Sequence, residues 1–163
     1  MAGTGSSGRI VVGVDGSPES ALALCWAARI ARTECAAIDV VAAWEFPVNL
    51  GWTPLPVDFS PREEIRRAAL ATVDDAFGTR RPDDLRVITH EGSAAAVLVG
   101  RSASALMIVI GRGRRGGRSG ARLRGSVGAR VAEHAKCPVL VATRPLVPDA
   151  PGSELVRAGE ARA

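Results

Sequence analysis

The residues best placed to do chemistry lie between Leu106 and Val141. A short apolar run, Leu106 to Ile110, gives way to Gly111-Arg-Gly-Arg-Arg-Gly-Gly-Arg-Ser-Gly, which leads to Gly125-Ser126-Val127 and a helix-like stretch. Glycines remove side-chain bulk so that backbone can close on an anion, and a helix start offers N–H groups with no partner inside the helix. A phosphate cradle is the chemistry this spacing predicts. For Ser126 the other reading is an ordinary N-cap. Asp15 follows a second apolar run, Ile10 to Val14. A carboxylate there can accept from a ribose hydroxyl or help hold a metal beside phosphates, or it can close the turn on its own backbone.

Other chemistries fit less well. Gly111-x-Gly113-x-x-Gly116 matches the dinucleotide fingerprint as a string, but that fingerprint belongs to a first strand–helix unit with the helix starting at once. Gly120-x4-Gly125-Ser126 lacks the lysine of a P-loop. Seven arginines (112, 114, 115, 118, 122, 124 and 130) crowd this region and account for much of the net charge of +4. They either neutralise phosphate or form a solvated loop. No aromatic side chain is interleaved with them to stack bases, so nucleic acid is not the expected partner. His90 and His134 have no partners at metal-ligand spacing, and no nucleophile–base arrangement or evident general base emerges. Cys25, Cys35 and Cys137 form no CxxC pair; each sits among apolar neighbours and reads as a packed, inert thiol of a reduced, intracellular protein.

These residues need a scaffold, and the chain supplies one. Its 163 residues, 47% hydrophobic and 23% charged, suit one globular domain. Ile10–Val14, Ile38–Trp44, Leu85–His90, Leu106–Ile110 and Val139–Ala142 are apolar runs of strand length. Between them lie helical stretches: one from Pro18, capped by Ser17; one from Pro61 to about Phe77, capped by Ser60; one from Ser93 to about Ser102; and one from Ser126 to Ala135. Glu45 to Ser60, rich in proline, glycine and tryptophan, reads as a long functional loop. Strands alternating with helices predict an α/β domain with a mostly parallel sheet, whose ligands gather beyond the carboxyl ends of the strands. Residues 1–8 carry no signal-peptide core, and no apolar run approaches the ~18 residues of a membrane span. Residues 144–163 have little to bury and are predicted to be disordered.

The sequence resembles the universal stress protein family, of the single-domain actinobacterial type. The resemblance rests on Ile10-Val-Val-Gly-Val-Asp-Gly-Ser-Pro18 with Trp26-Ala27, on Val41-Ala-Ala-Trp-Glu-Phe-Pro47 with Gly51-Trp52, and on Glu91-Gly92. It continues through Val109-Ile-Gly111, Gly116-Gly117, Gly125-Ser126-Val127 and His134-Ala-Lys-Cys-Pro-Val-Leu-Val141. It covers residues 9–143 and implies an open five-stranded parallel sheet in the order 3-2-1-4-5 with four flanking helices. It further implies a cytoplasmic stress-response regulator that binds ATP, with a divalent metal accompanying the nucleotide and little or no turnover. Asp15 would meet the ribose, the backbone at Ala43 the adenine, and a loop from Gly111, Gly113 and Gly116 to Gly125, Ser126 and Val127 the phosphates. A homodimer through the final strand, near Val139–Val141, is also implied. The family's loop pattern, Gly-x2-Gly-x9-Gly-Ser/Thr, is missed by one residue whether it is counted from Gly111 or from Gly113. The alternative is therefore a dimeric interaction module of the same fold that has lost its nucleotide.

Overall fold

A computed structural model describes residues 8–45, 60–113 and 127–143. Its elements alternate: β1 (Arg9–Gly13), α1 (Pro18–Glu34), β2 (Ala37–Trp44), α2 (Pro61–Phe77), β3 (Leu85–Glu91), α3 (Ala94–Ser102), β4 (Met107–Gly111), α4 (Val127–His134) and β5 (Val139–Ala142). The five strands form one parallel sheet in the order β3-β2-β1-β4-β5, as the resemblance implied. Parallel strands covered on both faces should be apolar at every position, and Ile10, Val11 and Val12 of β1 are all buried.

Alternation along the strands divides the core in two. Ile10, Val12, Ile38, Val40 and Val109 pack under α1 and α2, against Leu24, Ala27, Ala69 and Val73. Val11, Val41, Ile108 and Ile110 pack on the other face, against Ala95, Leu98 and Val131 of α3 and α4. Three helices begin as the sequence predicts. Ser17, Ser60 and Ser93 each accept, through Oγ, the N–H of the residue three positions on, and Pro18 and Pro61 occupy the first turns, where a missing N–H costs nothing.

Strand ends differ from expectation by a residue. β1 begins at Arg9 and β4 at Met107, although the Val14 N–H still bonds the Val41 carbonyl at 3.0 Å. One expectation needs correction: Cys35 is not a packed thiol. It ends α1 in the left-handed conformation (φ 50°, ψ 40°) and is exposed, because the chain must reverse there and Ala37, two residues on, takes the buried position. Cys25 and Cys137 are half-buried, and withdrawal from water pushes both thiols up from their ordinary range.

A charge inside the sheet was not foreseen. Asp39, in the apolar run of β2, is 3% exposed. Parallel register places it beside Val11 of β1 and Arg86 of β3. Arg86 grips the carboxylate with two bonds, Nε to Oδ1 at 2.7 Å and Nη2 to Oδ2 at 2.9 Å. Arg9 Nε adds a third bond at 2.6 Å. A buried carboxylate persists because two guanidinium groups satisfy it.

Candidate functional site

Strand order reverses at β1. The chain leaves β1 toward β2 and β3 on one side and returns on the other as β4. The segments after β1 and β4 therefore diverge and open a crevice beyond their carboxyl ends. Gly13 is in register with both Ile110 and Val41. The Val14 N–H still bonds the Val41 carbonyl, so Asp15 lies just past the end of β1 on the side of β2, while Gly111 directly follows Ile110. The fold brings Asp15, Ala43, Gly111 and Gly113 to the ends of three adjacent strands. Val127 is the first residue of α4 and is 41% exposed. Gly116, Gly125 and Ser126 lie outside the described residues.

Asp15 closes a turn. Its Oδ1 accepts from the Ser17 N–H at 3.0 Å and from Ser17 Oγ at 2.5 Å. Gly16 between them has φ +81°, a conformation that a side chain would strain. Ser17 Oγ in turn accepts from the Ser20 N–H at 3.2 Å, so turn and helix cap form one relay. Partial withdrawal from water works to raise the Asp15 pKa, but the bonds from Ser17, with Ser20 behind it, outweigh that and hold the carboxyl below its ordinary value. Asp15 is thus a fixed, ionised acceptor that stays exposed at the mouth of the crevice. Of the two sequence readings, turn closure is the one seen among the described residues, and it leaves the exposed carboxylate within reach of a ligand.

Gly111 has a reason of its own to be glycine. A Cβ there would lie 2.4 Å from the Glu19 carbonyl oxygen and 2.5 Å from its carbon, inside the first turn of α1. The glycine lets α1 close on β4. Gly113 is different: a Cβ at that position meets nothing within 4 Å. Between them, the Arg112 N–H bonds the Ala142 carbonyl at 3.0 Å and ties the start of the loop to β5. At Ala43 the side chain packs on the α3 face. The next carbonyl, Trp44, accepts from the Gly92 N–H at 2.8 Å.

Sequence reasoning missed Glu19. It stands beside Gly111 in the first turn of α1, and its Oε2 is buried without a hydrogen-bond partner among the described residues. Its only sequence signal was its place just after Ser17-Pro18, where an acid suits the helix dipole. Among the described residues no three His, Cys, Asp or Glu side chains gather as a metal site. No helix among them is long and apolar enough to cross a membrane.

A parallel sheet of this order, with its switch point at β1, defines an open α/β domain. Residues 7–143 match the Universal stress protein family, and the chain belongs to that family. Universal stress protein Mb2019 of Mycobacterium bovis is 34% identical over 156 residues, covering 87% of this chain and 46% of its own length. Universal stress protein Rv2623 of Mycobacterium tuberculosis is 32% identical over 148 residues, covering 86% of this chain and 49% of its own length. The chain therefore spans about half the length of these relatives. Among solved structures, a universal stress protein in complex with cAMP superimposes with a TM-score of 0.61 at 26% identity, covering 85% of this chain and 98% of the other. The universal stress protein from Archaeoglobus fulgidus in complex with dAMP has the same fold, with a TM-score of 0.54 at 23% identity, covering 85% of this chain and 99% of that one.

Proposed function

We propose that this chain is a cytoplasmic stress-response regulator that binds ATP in the crevice between β1 and β4 and turns it over little or not at all. The observation that carries this reading is the pre-set Asp15 carboxylate, exposed just past the end of β1 where strand order reverses. Asp15 would accept from a ribose hydroxyl, and the backbone near Ala43 would meet the adenine. Gly111, Gly113, Gly116, Gly125, Ser126 and Val127 would follow the phosphates. Solved relatives complexed with cAMP and dAMP support an adenine nucleotide as the ligand. A divalent cation would accompany the phosphates. Pairing of two copies through the edge strand β5, at Val139–Val141, is part of the proposal; Val141 is 42% exposed there.

Calorimetric titration tests the reading. Asp15→Ala should weaken ATP binding by about 1–3 kcal/mol, the worth of a hydrogen bond to a charged acceptor, or roughly 5- to 150-fold in Kd. Asp15→Asn, which can still close the turn, separates loss of charge from loss of the turn. One observation favours a second reading, a dimeric interaction module that binds no nucleotide. Both Asp15 and Gly111 have structural duties that need no ligand. Absence of heat on adding millimolar ATP or AMP to a folded, dimeric protein would decide for that second reading.

A further inference from the structure

His90 stands at the carboxyl end of β3, and the proposed site so far gives it no part. Parallel register pairs it with Ala43 of β2, one strand spacing, about 4.8 Å, away. Partners in register point to the same face of a sheet, and Ala43 packs on the α3 face. On that face His90 is exposed, while Ile88, two residues back, is half-buried. The end of β2 and β3 is thus an apolar strip with one polar ring at its edge.

The ring is oriented. Its Nδ1 lies 2.8 Å from the Glu91 carbonyl oxygen. A carbonyl oxygen only accepts, so Nδ1 carries the hydrogen, and in the neutral ring Nε2 is an acceptor. The bond runs to the following residue and leans the imidazole toward the edge where ligands of such a sheet gather. Among the described residues no donor meets Nε2. Strand order sets β4, β1, β2 and β3 side by side. A nucleotide with its phosphates at β4, its ribose at Asp15 and its base at Ala43 would turn the outer edge of that base toward His90. Adenine can present its 6-amino group there. Hypoxanthine and guanine carry a carbonyl oxygen at that position, and two acceptors facing each other repel.

Resting on the reading that the crevice binds ATP, we propose that His90 Nε2 accepts from the 6-amino group and selects adenine over 6-oxopurines. The test is calorimetric titration of the full chain with ATP and with ITP, which carries oxygen in place of that amino group. The unsubstituted protein should prefer ATP. His90→Phe keeps a ring but no acceptor; it should weaken ATP roughly fivefold, the worth of one neutral hydrogen bond, and leave ITP within about twofold. His90→Gln, whose amide oxygen can accept, should restore the preference. Asp15→Ala acts on the sugar and should weaken both nucleotides alike. His90 is exposed, so neither substitution there disturbs the packed core. Equal weakening of ATP and ITP in His90→Phe, or no change in either, would overturn the role of His90 and leave ATP binding standing. Failure of the unsubstituted protein to bind ATP would overturn both.

Discussion

Gly111→Ala should destabilise the domain by about 3 kcal/mol, at the upper end for overpacking a close contact. The new methyl would fall 2.4–2.5 Å from the backbone carbonyl of Glu19, and backbone in the first turn of a helix cannot swing aside as a side-chain tip can. Either β4 or the start of α1 has to move. For a chain of this length that is a loss of roughly 6–12 °C in Tm, read by thermal unfolding. The displaced helix start carries Ser17, which holds Asp15, so on the proposed function ATP affinity should fall along with stability. Gly113→Ala is the matched control. Its methyl meets nothing within 4 Å, and stability should stay within about 0.5 kcal/mol. Equal stability of the two variants would refute the packing role given to Gly111.

The second large effect belongs to Asp39. Asp39→Ala removes the shared acceptor of Arg9 and Arg86 and leaves two like charges side by side over the sheet, at a cost of about 3 kcal/mol. The cost is no larger because the arginines are reached by water; the Arg86 side chain is 57% exposed. Arg86→Ala should cost about 1–3 kcal/mol, since Arg9 still serves Oδ1 but Oδ2 loses the bond from Arg86. Acid should have the same effect as the Asp39 substitution. Burial works to raise the Asp39 pKa, yet the bonds and charges of Arg86 and Arg9 outweigh it and hold the carboxyl below its ordinary value. A folded-state pKa below the unfolded one gives stability that is full above the unfolded value, near 3.9, and is lost as pH falls through the folded value. Denaturant unfolding of the wild type should therefore weaken below about pH 4, and Asp39→Asn should flatten that limb. An unchanged acid limb in Asp39→Asn would assign the loss to other carboxylates.

Much of the scaffold was legible because its signals are local. Continuous apolar runs announce strands covered on both faces, and Ser-Pro pairs announce helix starts; both appear where the sequence places them. Strand order was available only through the resemblance, since no local pattern says which side of β1 receives β4. The site was read in part. Position alone put Asp15 at a strand end but could not choose between turn and ligand, because that depends on where Ser17 points. Gly111 was read as one of a series of phosphate glycines. Its contact with Glu19 spans 92 residues of sequence, and no spacing rule reports it. Asp39 was passed over inside Ile38-Asp39-Val40-Val41, although an acid in a run otherwise apolar is itself a signal. Its partners, Arg9 and Arg86, stand at the starts of the two strands that flank β2.

The serine caps have a consequence for the molecule as an electrical object. Among the described residues every helix follows a strand of the parallel sheet, so the helices run back together and their amino ends share the edge where Asp15 and Gly111 lie. Each contributes about half a positive charge at that end. The domain therefore has a pole as well as a net charge of +4. Asp15 and the first-turn acids Glu19, Glu63 and Glu64 stand at that same edge and face the helix ends with full negative charges, so added salt would weaken an attraction built into the scaffold itself.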